Sequence, residues 1–263
     1  IVCPPQEGGA GYHSQWDAHF VHFVRNALIE PNDQSRNMAE LCSAIEHNYC
    51  GDAFRRVIYV ESHDEVANGR ARIAEEVQPG NADSPISKEK SILGATLVMT
   101  CPGIPMLFQG QEFLQDRWFV DSVPLDWSRK ENFEHVLNAY RDLIYLRNNA
   151  HGNTKGLRGH QLHIFQVNHE KKVLAFRRWW DGGKGDDTLV VINLSNEPMH
   201  DYRIGTPEGG NWYVRFNSGW KGYGNEREAQ PVLDTMADGP AQDGYNQSCL
   251  VSLKPYSAII LSQ

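Results

Sequence analysis

The sequence lacks any apolar stretch that approaches the roughly 20 residues needed to cross a bilayer. It also lacks an excess of basic residues, since 33 Asp and Glu face 25 Lys and Arg and the formal net charge is −8. A net negative chain is repelled by phosphate backbones and anionic lipid surfaces. We therefore expect no nucleic-acid partner and no membrane partner.

Cysteine is scarce, and no C-x-x-C pair or Cys/His cluster with zinc spacing occurs. An odd number of scattered thiols is typical of a reducing compartment, so we expect a cytoplasmic protein with unpaired, mostly buried cysteines. No local carboxylate cage suggests calcium, and we expect no metal and no cofactor. The five cysteines are Cys3, Cys42, Cys50, Cys101 and Cys249.

A leader segment, an initiator Met, internal repeats and low-complexity tracts are also missing. The chain starts directly at Ile1, and we expect either that a segment upstream was removed or that the chain is a piece of a longer polypeptide. Its 263 residues suffice for one large domain or two ordinary ones.

Residues 1–150 alternate short apolar runs with helical patterns. The spacing predicts helices over Trp16–Glu30, Met38–Ile45 and residues 86–100, and a helix opened by Ser128 through a capping box with Glu131. Strands are predicted at residues 57–62 and 104–108, both apolar throughout, as in sheets covered on both faces. This strand–helix order favours parallel βα units.

After a glycine-rich linker at residues 151–156, the pattern consists of strands only. Seven runs with turn signals between them predict an antiparallel β-sandwich, and residues 219–247 are predicted to form a long surface loop. The predicted strands are Leu162–Asn168, Lys172–Trp179, Thr188–Leu194, His200–Ile204, Trp212–Phe216, Ser248–Leu253 and Ser257–Leu261.

An acidic cluster follows the first predicted strand, where residues 57–70 read VIYVESHDEVANGR. Parallel α/β proteins place ligands at the carboxyl ends of their strands, so His63, Asp64 and Glu65 are predicted at such a mouth. Gln111 and Glu112 follow the next strand and are predicted at the same mouth. A strand-end aspartate can equally cap the following helix with a histidine as its partner, and spacing leaves both interpretations open.

Five stretches resemble one known family in collinear order. YVESHDE at residues 59–65, GIPMLFQGQEF at 103–113 and PLDW at 124–127 are similar to the α-amylase superfamily. EGGAGY at residues 7–12, with the following Trp16, and NLS at 193–195 are similar to its α-glucan branching enzymes and their C-terminal β-domain. The resemblance implies an α/β plus all-β fold: about strands 6–8 of a (β/α)8 TIM barrel over residues 1–150, then an antiparallel β-sandwich over 151–263.

By the same resemblance the substrate is an α-glucan, cleaved with retention by a nucleophilic carboxylate and a protonated carboxyl about 5–5.5 Å apart. Asp64 and His63 correspond to the carboxylate and imidazole that grip the sugar hydroxyls in the transition state. Glu65 is expected to face an acceptor subsite, and Gln111 to support the site by hydrogen bonding. Trp16 and Trp118 are expected to stack on sugar rings, although packing explains most aromatic residues of the chain equally well.

The family's nucleophile and general acid follow barrel strands four and five, and no matching pattern precedes Asp17. We therefore expect the chain alone to be inactive. Three parallel strands cannot close a barrel, so we expect the missing N-terminal half or a second copy to cover the open edge. Three functions stay open: a branching enzyme, an amylase-type or trehalose-releasing hydrolase, and a non-catalytic glucan-binding module.

Overall fold

Three short parallel strands form the first sheet in the computed structural model, which describes residues 1–67, 69–227 and 231–263. They are β1 (Gln15–Trp16), β2 (Arg56–Ile58) and β3 (Ile104–Pro105), with β2 in the centre. The predicted strands at 57–62 and 104–108 are present but shorter. Beyond Ile58, the Val60 carbonyl accepts a hydrogen bond from Arg25 Nη1 at 2.8 Å.

Six α-helices accompany this sheet in the described part of the chain, and side-chain caps start two of the longest. Asp17 Oδ1 accepts from the Phe20 N–H at 3.2 Å, and Ser84 Oγ accepts from the Ser87 N–H at 3.2 Å. These bonds satisfy backbone donors that have no partner inside the helix. The helices are α1 (Ala18–Ile29), α2 (Met38–Glu46), α3 (Ile73–Val77), α4 (Pro85–Thr100), α5 (Ser128–Asn132) and α6 (Glu134–Arg147).

The predicted capping box at Ser128 is wrong. Ser128 is the first residue inside α5, and Asp126 Oδ1 accepts hydrogen bonds from both its N–H at 3.1 Å and its Oγ at 2.6 Å. The predicted single helix is also divided, because Phe133 leaves the helical conformation with φ −118°. Residues Glu134–Arg147 therefore form a separate helix, α6.

The remaining strands are all paired antiparallel, as predicted. Six of them form one sheet in the order β4-β5-β6-β11-β8-β9, and β10 pairs with β7 in a second sheet. β9 lies inside the segment predicted as a loop, whose residues 228–230 fall outside the described part. The strands are β4 (Gln161–Asn168), β5 (Val173–Trp179), β6 (Thr188–Asn193), β7 (Met199–Thr206), β8 (Gly210–Asn217), β9 (Thr235–Ala237), β10 (Gln247–Leu253) and β11 (Ser257–Ser262).

The central strands β6 and β11 are buried on both faces because each face meets a different core. Leu189 and Val191 point into a cluster with Ile204 and Val251 of the second sheet. Val190 and Ile192 alternate with them and join the cluster that contains the helices. The helical part and the all-β part thus share the second of these two clusters as one continuous apolar core.

The expectation of unpaired thiols is wrong for two of the five cysteines. Cys3 and Cys50 form a disulfide with a Cα–Cα distance of 5.8 Å. The two residues are 47 positions apart, and such a spacing does not predict a pairing. Cys42, Cys101 and Cys249 are free. Within the described residues, no helix is both long and apolar enough to span a membrane.

Candidate functional site

Aromatic and polar side chains meet where β1 and β2 end. Trp16, the last residue of β1, lies edge to face with Tyr59 at a centroid distance of 5.2 Å and with His63 at 5.6 Å. Phe119 also lies edge to face with His63, at a centroid distance of 6.3 Å. Trp16, Tyr59, His63, Asp64 and Phe119 are called the rim below.

His63 and Asp64 are adjacent in space as well as in sequence. His63 Nε2 lies 3.4 Å from Asp64 Oδ1, and the two side chains are 53% and 69% exposed. A turn holds them, since the Val66 N–H donates to the Ser62 carbonyl at 3.1 Å and the Glu65 N–H to Ser62 Oγ at 3.2 Å. The pair is therefore held at the surface with most of its polar atoms open to a ligand.

The segment after β3 supplies the far side of the rim. The Phe119 N–H donates to the Val66 carbonyl at 2.9 Å, which joins this segment to the turn that carries Asp64. Phe108 packs edge to face on Phe119 at 5.4 Å. Trp118 precedes Phe119 and is 58% exposed, so it presents an aromatic surface beside the rim.

Glu61 differs from Asp64 in facing inward. Its carboxylate accepts from Arg72 Nη1 and from the Ile73 N–H, both at 2.8 Å, and it is 4% exposed. The Arg72 guanidinium also lies over the Phe108 ring, 4.7 Å from the centroid. This buried pair connects the end of β2 to the segment after β3 and so supports the rim from below.

Glu65 also faces inward, towards α1 and Arg70. Its oxygens lie 2.5 Å from Arg70 Nη1, 3.7 Å from Arg25 Nε and 3.3 Å from His22 Nε2. The residue is 6% exposed and lines a cavity of about 370 Å³ with these three partners. An acceptor subsite at Glu65 would have to lie in that cavity, because the carboxylate does not reach the rim surface.

Gln111 is buried beneath the segment that follows β3. Its Oε1 accepts from the Phe108 N–H at 2.8 Å, and its Nε2 donates to the Tyr140 hydroxyl at 3.2 Å. Both ends of the amide are therefore used within the protein. The structure places Gln111 where it orients Phe108, and its supporting role in a ligand site stays a prediction.

Tyr59 is a buried phenol at the rim. Burial raises the pKa of its hydroxyl to about 12, and the negative charges of Glu65 and Asp64 act in the same direction. The phenol therefore stays protonated and remains a hydrogen-bond donor at neutral pH. It is not a candidate base.

Sequence reasoning missed three aromatic residues of this site: Tyr59, Phe108 and Phe119. Tyr59 could have been found, because it sits in the quoted strand-end stretch two residues before Glu61. Phe119 had no such signal, since contacts with residues far along the chain, among them the hydrogen bond to Val66 and the packing on Phe108, bring its segment back to the rim. One group of potential metal ligands occurs among the described residues. It consists of Cys3, Glu7 and Cys50, whose ligand atoms lie within 4.8 Å of one another.

Comparisons with known proteins agree with this architecture. Residues 164–263 match the family model for the C-terminal all-beta domain of alpha amylase. The chain is 30% identical, over all of its length, to the 1,4-alpha-glucan branching enzyme GlgB 1 of Xanthomonas euvesicatoria and covers 35% of that protein. It is also 30% identical to GlgB of Rhodospirillum rubrum, with 99% of this chain and 35% of the relative covered.

The chain thus spans about a third of the length of these relatives. Among solved structures, a pullulanase of Anoxybacillus sp. LM18-11 in complex with maltotetraose matches 95% of this chain and 35% of its own, with a TM-score of 0.64 and 18% identity. The alpha-amylase of H. orenii matches 96% of this chain and 49% of its own, with a TM-score of 0.58 and 18% identity. At such identities the two structures establish similarity of fold alone.

Proposed function

We propose that this chain, which resembles the α-glucan branching enzymes of the α-amylase superfamily over its whole length, is the C-terminal region of a glucosyltransferase that acts on α-1,4-glucans. Residues 1–150 would provide about strands 6–8 of its (β/α)8 barrel, and residues 151–263 its C-terminal β-sandwich. The three parallel strands of the first sheet and the six-stranded antiparallel sheet support this division.

The observation that carries the proposal is the exposed Asp64–His63 pair beside the Trp16 ring. An aromatic face packs on the apolar face of a pyranose, while a carboxylate and an imidazole bind its hydroxyl groups. Glycosyl transfer proceeds through an oxocarbenium-like transition state, which flattens the ring and develops positive charge. Asp64 would therefore hold the sugar more tightly in the transition state than in the ground state, which is what catalysis requires.

The bond-breaking carboxylates would come from outside residues 1–263. Neither Glu61 nor Glu65 can serve as nucleophile or acid at the rim, because arginines hold both carboxylates below it. In this arrangement His63 and Asp64 bind and orient the glucosyl ring. Trp16 and Trp118 provide stacking surfaces. The buried residues Glu61, Gln111 and Arg72 keep the rim in place. The chain by itself would bind glucan without turning it over.

The first test measures maltohexaose binding to the chain by titration calorimetry. Trp16→Ala should weaken binding about tenfold, the value of one aromatic stacking contact. Trp180→Ala is the matched control, since Trp180 is 47% exposed against 42% for Trp16 and contacts Lys155 and Arg158 on the sandwich. Equal loss in both variants would contradict a sugar site at the rim.

The second test separates transfer from hydrolysis. The polypeptide that carries these residues is incubated with amylose, and iodine staining and reducing ends are followed together. A branching enzyme lowers the iodine colour with few new reducing ends, whereas a hydrolase releases one reducing end for each bond cut. A steep rise in reducing ends would favour the amylase-type alternative. Glucan binding that survives Asp64→Ala, with no turnover, would favour a binding module.

A further inference from the structure

Cys3, Glu7 and Cys50 form a ligand cluster near the start of the chain. One sulfur from each cysteine and one oxygen of Glu7 all lie within 4.8 Å of one another. The sulfurs are joined in the disulfide, so in the oxidised protein they cannot act as thiolate ligands. The question is what these three groups do once the disulfide is reduced.

The segment that carries Cys3 and Glu7 is held by hydrogen bonds that do not depend on the disulfide. The Gly11 N–H donates to the Cys3 carbonyl at 3.0 Å, and the Ala10 N–H donates to the Ile1 carbonyl at 2.9 Å. Gly9 packs so closely on Cys3 that a Cβ there would lie 1.9 Å from its carbonyl oxygen. Residues 1–11 therefore form a compact turn that should keep Cys3 and Glu7 together after reduction.

Cys50 is held independently on the other side. It lies in a tight turn in which the Asp52 N–H donates to the Tyr49 carbonyl at 3.1 Å. Asp52 Oδ1 in turn accepts from the Phe54 N–H at 2.8 Å, which fixes the turn to the segment that leads into β2. Both halves of the cluster are thus preformed.

We propose that the Cys3–Cys50 pair is a redox-controlled zinc site, in which the two thiolates and the Glu7 carboxylate bind Zn²⁺ and a water takes the fourth position. A dithiol gives two electrons and two protons to the disulfide and is itself oxidised to a disulfide. Zn²⁺ then displaces the two thiol protons to solvent as it binds. Tetrahedral Zn–S bonds of about 2.3 Å need the sulfurs about 3.8 Å apart, so the two side chains must separate once the disulfide is reduced.

The chemistry of the donor set selects zinc. Two thiolates and one carboxylate suit a borderline-soft cation, whereas Ca²⁺ and Mg²⁺ prefer oxygen ligands alone. The other cysteines do not compete, because burial raises the pKa of the Cys42 and Cys101 thiols to about 11 and that of Cys249 to about 12. Cys50 and Glu7, in contrast, are exposed and accessible to an ion from solvent. This inference does not depend on the proposed glucan activity.

The experiment titrates the chain with Zn²⁺ in a calorimeter, once oxidised and once after reduction by a dithiol that is then removed under nitrogen. We expect one zinc per chain in the reduced protein and none in the oxidised protein. Co²⁺ in place of Zn²⁺ should give thiolate charge-transfer absorption in the reduced protein only.

Two variants and one control decide the ligands. Cys3→Ser/Cys50→Ser should abolish binding, and Glu7→Gln should weaken it about tenfold or more while both thiols remain. Cys42→Ser should bind like the parent. Thermal melts establish that each variant is folded. Equal zinc affinity in the reduced parent and the double cysteine variant would overturn the site, and unchanged affinity in Glu7→Gln would overturn the three-ligand arrangement.

Discussion

Trp16 and His63 meet edge to face, with their ring centroids 5.6 Å apart and their planes at 67°. The first ends β1 and the second follows β2, so the contact relates the ends of two neighbouring parallel strands. It places an aromatic surface against an imidazole whose partner Asp64 is open to solvent. The rim thus combines a stacking surface with hydrogen-bonding groups, as sugar recognition requires.

Asp64→Asn should lower the turnover of α-glucan by the complete polypeptide about a hundredfold or more, because an interaction that strengthens in the transition state is removed. Its free energy of unfolding should change by less than about 0.5 kcal/mol, since the side chain is 69% exposed. Asp181→Asn, on an equally exposed carboxylate of the sandwich, is the control. Full turnover in Asp64→Asn would exclude the proposed role.

Glu61→Gln should lower the free energy of unfolding by about 3 kcal/mol, measured by urea denaturation. The substitution leaves the Arg72 charge buried without its counterion, and breaking one side of such a pair is costly. Glu112→Gln, a change of the same size in a partly buried glutamate after β3, should cost far less. A loss below about 1 kcal/mol in Glu61→Gln would show that Arg72 finds other partners.

Glu89 on α4 should make the protein lose stability as the pH rises through about 7. Burial raises the pKa of its carboxyl from 4.5 to about 7, against the opposing effect of Arg227, whose Nε lies 2.8 Å away. A raised carboxyl pKa means that the folded state binds the proton more tightly than the unfolded state, so stability is greatest below pH 4.5 and declines towards pH 7.

The measurement compares urea unfolding of the parent and Glu89→Gln between pH 5 and pH 8. The parent should lose up to about 3 kcal/mol relative to the variant across this range, since one pKa unit corresponds to about 1.4 kcal/mol. Parallel pH profiles for the two proteins would mean that Glu89 titrates normally.

Cys3→Ser removes the disulfide and should lower the free energy of unfolding by about 4 kcal/mol relative to the oxidised parent protein. The disulfide closes a loop across 47 residues, and the chain entropy that it removes from the unfolded state grows with loop length. Urea denaturation with and without reductant measures the effect, and Cys42→Ser is the control with an unpaired thiol. A parent protein that unfolds at the same urea concentration in both conditions would contradict the expectation.

The open edges of the three-stranded sheet should drive self-association of the chain. β1 and β3 are the outer strands of this sheet, and Ile104 on β3 is 39% exposed. Unpaired strand edges with apolar side chains pair readily with another chain. Light scattering should therefore detect dimers or larger species, and Ile104→Lys should shift them towards monomer.

Ile144→Lys is the matched control for that experiment, because Ile144 is 38% exposed but lies on α6. It should leave the distribution of species unchanged. A parent chain that stays monomeric at all concentrations would show that these edges need no cover.

The sequence by itself determined the local elements, because their signals lie within a few residues. The helical spacing over residues 86–100 predicted α4 to within one residue of its start, and the alternating apolar runs predicted every described strand of the sandwich except the short β9. The stretch at residues 59–65 likewise placed three carboxylates and an imidazole at one strand end. Ser128 shows the limit of such signals, since Asp126 Oδ1 accepts from the Ser128 N–H, the donor that Glu131 would have bonded in a capping box.

Only the tertiary structure decided which of those carboxylates is available to a ligand. Glu61 and Asp64 are both acidic residues, but Arg72 and the Ile73 N–H draw Glu61 inward, whereas Asp64 pairs with His63 in an exposed turn. The pairing of Cys3 with Cys50 and the return of Phe119 to the rim were also decided at this level. Each depends on contacts between residues far apart in the chain. No local sequence pattern predicts the burial and charge of such residues.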